Sequence, residues 1–157
     1  MLKAETILSY LLACPAVKEL YFQYAGDAHD GTQAISTAVI DRARNKGFID
    51  GSVPHEADFV FTWFKALDAV PVVSDLQFEE TEKNAADLDD VSDIIRWITE
   101  QNHSGNLPNM GPDCVVDSLY CLTDTARLDG VDLSGPRPLG RYKFTIRIEY
   151  VDYTYAI

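Results

Sequence analysis

Three histidines, three cysteines and a large excess of carboxylates are the groups with which this chain could do chemistry. His29 sits in the run Gly26-Asp27-Ala28-His29-Asp30-Gly31, His55 lies beside Glu56, and His103 lies beside Ser104 and Gly105. A hydrolase triad needs a nucleophile, a base and an orienting acid brought together in space. Each histidine falls in a stretch of loop-like composition, and the chain contains no G-x-S-x-G, phosphate loop or dinucleotide fingerprint. Asp27, His29 and Asp30 match neither a calcium loop nor a zinc motif, so a solvent-exposed loop is expected there. Asp87, Asp89, Asp90 and Asp93 imitate a run of cation ligands, but the glycine of a calcium loop is missing. The first three suit the start of a helix, where carboxylates cap free N–H groups and complement the helix dipole. Glu79-Glu80-Thr81-Glu82 reads as a solvated loop. Carboxylate pairs are so common in this chain that finding some is uninformative. The expectation is a protein that is not an enzyme, with no catalytic residue, no metal ligand and no cofactor.

The cysteines are Cys14, Cys114 and Cys121, an odd count without a C-x-x-C pair. That suggests reduced thiols and a cytosolic setting rather than a disulfide framework. Cys114 and Cys121 would lie about 23 Å apart on an extended strand, too far to share a metal or a bridge. The 157 residues carry a net charge of -12. Such a chain repels the DNA backbone, and its densest basic stretch, Arg42 to Lys46, reads as a solvated turn. No run approaches the 18 or so apolar residues that span a bilayer. Leu11-Leu12-Ala13-Cys14 loosely resembles a lipoprotein cleavage box, but Leu12 is large for its place and the basic region is a lone Lys3. A plain N-terminal helix is the expectation.

The elements follow from hydrophobic periodicity. Ile7, Leu8, Leu11 and Leu12 form the stripe of a helix over residues 3–13, which Pro15 ends. Residues 16–24 fit helix or strand equally. Ala34 to Asp41 reads as a strand. A turn at Arg44 to Gly47, the pair Phe48-Ile49 and a turn at Asp50-Gly51 suggest a hairpin between short strands. Ala57 to Leu67 is apolar on both faces, which predicts a central strand covered on both sides. Residues 71–80 are irregular. Leu88, Val91, Ile94, Ile95 and Ile98 make the stripe of a long helix, about 87–102. Cys114 to Leu122 reads as a strand with Val116, Tyr120 and Leu122 opposite Val115, Leu119 and Cys121. Residues 124–141 look like a long connection. Tyr142, Phe144, Ile146, Ile148 and Tyr150 alternate strictly with Lys143, Thr145, Arg147 and Glu149, the period of a half-buried strand. The order implies one α+β domain: a mainly antiparallel sheet with an N-terminal helix and one long helix on one face. Within it, residues 1–30 would form a helical N-terminal segment, 31–152 the core and 153–157 a tail.

Several short motifs stand in a suggestive order. Ile49-Asp50-Gly51-Ser52 precedes the aromatic strand. Trp97-Ile98-Thr99-Glu100-Gln101-Asn102 is followed by Gly105-Asn106-Leu107-Pro108, and Arg141-Tyr142 leads into Arg147 and Tyr150. This ordered set, over roughly residues 35–152, resembles a family of minor capsid or tail proteins of long-tailed phages and prophages, similar in layout to tail-terminator proteins. The resemblance implies an α+β subunit of a ring at the head–tail junction, a hexamer in that family, without catalytic residues. It implies a structural virion protein of the neck or tail, a terminator or head–tail joining component, located in the virion and in host cytoplasm during assembly. Its partners would be further copies of itself, tail-tube proteins and head-completion proteins. DNA would only pass through, repelled by an acidic lining, and no membrane is involved. The other reading is a bacterial adaptor or binding domain without catalysis.

After Tyr150 the alternation continues in the opposite phase through Val151, Tyr153, Tyr155 and Ile157. A one-residue bulge would turn these side chains away from the core. They are the expected subunit-interface candidates.

Overall fold

The computed structural model describes residues 3–23, 25–44, 47–67 and 78–157, with only the backbone described at 39–40 and 78–83. In chain order the elements are α1 (Ala4–Leu12), β1 (Leu20–Phe22), β2 (Gln33–Ala43), β3 (Val53–Ala66), α2 (Phe78–Ser104), β4 (Cys114–Cys121), β5 (Arg127–Asp132) and β6 (Leu139–Asp152). The described strands form one six-stranded sheet in the order β1-β2-β3-β6-β4, with β5 also paired to β6. Only β1 and β2 run parallel; the other pairs are antiparallel. The fold is therefore α+β.

At the centre, β3 and β6 pair without a register break from Val53 opposite Asp152 to Ala66 opposite Leu139. One face of this pair presents Ala57, Phe59 and Phe61 beside Phe144, Ile146 and Ile148, all buried. Phe61 and Phe144 stack with ring centroids 5.0 Å apart. Both helices cover this face, α1 through Ile7 and Leu11, α2 through Val91, Ile94, Ile95 and Ile98. Tyr10 and Trp97, with centroids 5.4 Å apart, join the two helices. Each fully buried side chain of this size contributes roughly 1.5–3 kcal/mol through its removal from water.

Several expectations are corrected. Leu12 is exposed, so the apolar stripe of α1 is narrower than its sequence suggests. The N-terminal segment is not only helical, because β1 adds to the sheet edge at Gln33–Ile35. The long helix starts at Phe78, not near 87, and Glu79–Glu82 is helical rather than a loop. Asp87 and Asp90 are thus inside the helix, where they hold Lys65 at 3.6 and 3.2 Å. Lys65 is 8% exposed and its Nζ also lies 4.1 Å from the Trp63 ring centre. Two of the cluster's carboxylates therefore neutralise a nearly buried ammonium, and none of them sits at the helix start. Of the irregular stretch expected at 71–80, residues 71–77 lie outside the described residues. Phe48 and Ile49 are in the β2–β3 loop, and the hairpin joins long strands instead of short ones. A bulge at Asp117 shifts the phase of β4, so Val116, Leu119 and Cys121 all meet the core while Leu122 is exposed. The supposed long connection contains β5. His55 belongs to β3, not to a loop.

The central strand β3 is covered by helices on one face only, among the described residues. Its other face carries Asp58, Val60 and Thr62 beside Arg147, Thr145 and Lys143. Arg147 bridges Asp58 in a fork, Nε to Oδ1 at 2.8 Å and Nη2 to Oδ2 at 2.9 Å, with Asp58 4% exposed. Replacing Arg147 by Ala leaves a carboxylate buried without its counter-charge and should destabilise the fold by about 3 kcal/mol. Urea unfolding followed by circular dichroism measures this. A loss below about 0.5 kcal/mol would show that the pair is no more than a surface contact.

Candidate functional site

Two surface regions lie at opposite ends of the β3–β6 pair. The first is an apolar end built by the β2–β3 loop and the residues that follow β6. The loop is closed by Phe48 N–H donating to the Ser52 carbonyl at 2.7 Å and Gly51 N–H to the Phe48 carbonyl at 3.0 Å. Gly51 has φ +89, and a Cβ there would fall 2.6 Å from the Tyr155 carbonyl oxygen. Only glycine permits this backbone and this approach. Ile157 N–H donates to the Asp50 carbonyl at 2.7 Å, and Tyr153 N–H to the Asp113 carbonyl at 2.6 Å. Loop and tail are therefore one unit, from which Phe48, Ile49, Tyr153, Tyr155 and Ile157 project into solvent.

This region bears on the four residues marked in the sequence. Tyr153, Tyr155 and Ile157 are exposed, whereas Val151 is 7% exposed and lies within the sheet between Pro54 and Val115. The register stays unbroken to Asp152, so no bulge reverses the phase. The strand simply ends: Asp152 Oδ1 accepts from Thr154 N–H at 2.9 Å and its hydroxyl at 2.6 Å, closing a turn. Phe48 and Ile49 were missed as surface residues. Their signal was the Asp50-Gly51 turn directly after them, which marks a loop rather than a strand.

The second region is a cleft of about 660 Å³ on the helix-free face. Its floor is Ala34, Ser36 and Thr62, with Arg141 and Lys143 from β6. Its walls are the loop residues 25–28 and Asp132, Ser134 and Gly135. Among the described residues Arg141 forms no hydrogen bond or ion pair within 4 Å and its Nε is buried unsatisfied, while Asp132 on the cleft wall, held low first by Ser134, also feels its charge. Its guanidinium lies over Gly130, φ +96, where a Cβ would collide with Nη2. Lys143 has only a loose pair with Asp129 at 3.7 Å. Elsewhere on this face Arg42 pairs closely with Glu56 at 2.7 Å, and Arg44 lies about as far from Glu149, 3.6 Å, as Lys143 does from Asp129. Ser118 and Tyr120 also donate to Glu149.

The histidines do not converge. His29 is in its loop against Thr32, and His103 is in the last turn of α2. His55 stacks on Tyr150 at 5.1 Å and contacts Asp41 at 3.0 Å, while the Tyr150 hydroxyl donates to the same carboxylate. This trio ties β2, β3 and β6 together beneath the apolar end. Cys14 and Cys114 are buried, and burial pushes the Cys121 thiol up to about 12. No group of three His, Cys, Asp or Glu among the described residues is placed to hold a metal ion. No helix of the described residues is long and apolar enough to cross a membrane. No protein-family model and no curated protein sequence matches the chain.

Two carboxylates beside the apolar end are held below the ordinary value of 3.8: Asp50 by the Ser52 hydroxyl and N–H, and Asp152 by the Thr154 hydroxyl and N–H. Their folded values are lower than their unfolded ones. Their contribution to the turns is thus complete above about pH 3.8 and lost as pH falls through the lower folded value. Amide shifts of Ser52 and Thr154, followed by NMR between pH 6 and 2, should titrate with midpoints under 3.8. Midpoints at or above that value would mean the turns do not hold the carboxylates ionised.

Proposed function

We propose that the chain is a structural assembly protein that associates with copies of itself, most specifically a ring-forming tail-terminator or head–tail joining subunit of a long-tailed phage. The observation that carries this reading is the apolar end. Ile49, Tyr155 and Ile157 are large side chains held out in solvent by a defined loop-and-tail unit. Such a surface on an otherwise acidic chain suits a protein contact, and aromatic residues are the favoured anchors of one. The ordered motifs from Ile49 to Tyr150 add the phage context, and the α+β fold is of the kind that resemblance implies. In that setting the partners are other copies of the chain, tail-tube proteins and head-completion proteins. The -12 charge suits a channel wall past which DNA slides. The protein would be made in host cytoplasm and end in the virion.

A second reading, a bacterial adaptor or binding domain without catalysis, is favoured by the cleft at Arg141. Head-completion and tail-tube genes on either side of its gene would decide for the phage reading, and electron microscopy of phage particles lacking the protein then separates the two phage roles. Tails of uncontrolled length indicate a terminator, and full heads apart from normal tails indicate a joining role.

In solution, the wild-type chain should sediment as an oligomer at tens of micromolar, and Ile49→Asp with Tyr155→Asp should sediment as a monomer with an unchanged melting temperature. A wild-type protein that stays monomeric through this range would remove the apolar end as a self-association surface.

A further inference from the structure

Two copies of a chain with net charge -12 repel each other. Any contact between them must place carboxylates against cations or keep them apart. The apolar end carries Asp50 and Asp152 beside its exposed side chains, and both are held ionised in turns by Ser52 and Thr154. A symmetric contact of this end with itself would oppose the same carboxylates in both copies, at an electrostatic cost. The other end of the sheet offers the complementary chemistry. There the Arg141 Nε is buried without a hydrogen bond, its guanidinium has Asp132 as an electrostatic neighbour but no ion pair within 4 Å among the described residues, and Lys143 lies 3.7 Å from Asp129. Leu133 stands exposed between the cleft residues Asp132 and Ser134, and Val131 is exposed one strand position before them.

We propose that these two ends are the two halves of one head-to-tail contact: Ile49 and Tyr155 of one copy pack on Leu133 of the next, and a carboxylate at Asp50 or Asp152 reaches the Arg141 cleft. This rests on the self-association reading above and adds the partner surface and the polarity to it. A guanidinium is a planar fork with five donors, so it suits a carboxylate arriving from outside. The apolar contact supplies the desolvated surroundings in which that pair is strong. The two ends are separated along β6 by about 36 Å, eleven residues of strand. A contact between unlike surfaces that far apart is heterologous, and repeated it either closes a ring or continues as a filament.

The test uses complementation between two full-length variants. One carries Ile49→Asp and Tyr155→Asp and keeps its cleft. The other carries Leu133→Asp and Arg141→Glu and keeps its apolar end. Each alone should be monomeric. Mixed in equal amounts, they should give one-to-one heterodimers and nothing larger by native mass spectrometry, because one good interface remains. A mixture that stays monomeric while the wild type assembles overturns the head-to-tail contact and leaves self-association standing. A wild type that never assembles overturns both. Circular dichroism checks that each variant folds. If either fails to fold, Ile49→Cys and Leu133→Cys proteins mixed with a short bismaleimide replace the test: a cross-link between those two positions supports the contact, and its absence counts against it. Arg141→Gln alone should raise the concentration needed for assembly at least about tenfold. Acetate that shifts the Arg141 Nε–H resonance without changing assembly would make the cleft a small-acid site and overturn its role as a subunit receptor.

Discussion

The unbroken pairing of β3 with β6 is the constraint on which the rest of the molecule depends. Fourteen residues of each strand face one another, so one register fixes two faces at once. A slip by one residue would carry Phe144, Ile146 and Ile148 out of the core and put Lys143, Thr145 and Arg147 into it. The Asp58–Arg147 fork works against such a slip on the opposite face, since it forms only where those residues are cross-strand partners. Packing on one side and charge pairing on the other therefore select the same alignment. Everything with a candidate role is then placed by where it falls along this pair: the loop-and-tail unit at one end, Arg141 and Lys143 at the other.

Much of this was legible locally. The alternation from Tyr142 to Tyr150 identified β6 because one of its faces is apolar and the other mixed in charge. The stripe from Leu88 to Ile98 identified α2 because only one side of that helix meets the core. What escaped was non-local. The start of α2 at Phe78 has no apolar stripe to announce it, and its acidic residues resemble a loop. The reason for Asp87 and Asp90 is a lysine on β3, a partner that no spacing rule connects to them. β5 is short, interrupted by Gly130 and bulged, so it lacks a strand's period. Arg141 stood in the sequence as a motif residue, but that its Nε is buried without a hydrogen bond, with Asp132 of the cleft wall as its electrostatic neighbour, is a property of the fold alone. The region after Tyr150 shows the opposite error: a continuing alternation suggested a bulged strand, where Asp152 and Thr154 make a turn.

Charge is distributed unevenly over the two layers. The outward side of α2 presents Asp89, Asp90, Asp93 and Glu100, with Arg96 the exposed cation among them. The helix-free sheet face holds Arg42, Arg44, Arg141, Lys143 and Arg147, most of them opposite carboxylates. The helical layer is thus strongly negative, whereas on the sheet face cations and carboxylates lie side by side. An acidic layer repels copies and nucleic acid alike, while a face of mixed sign permits closer approach. Association would be directed by this difference as much as by apolar area.

The outer strands of the sheet say how such approach is limited. On one side β1 covers only Gln33–Ile35 of β2, and the remainder of β2 carries two register breaks, between Thr37 and Val39 and between Val39 and Arg42. On the other side the edge is divided between β4 and β5, which pair with different halves of β6. Among the described residues neither border offers a long, straight row of backbone groups, the feature on which stray strands assemble into aggregates. Short and broken borders make strand addition to the described sheet unfavourable, despite its fourteen-residue central strands. Copies of this chain that meet are thereby steered toward recognition through side chains.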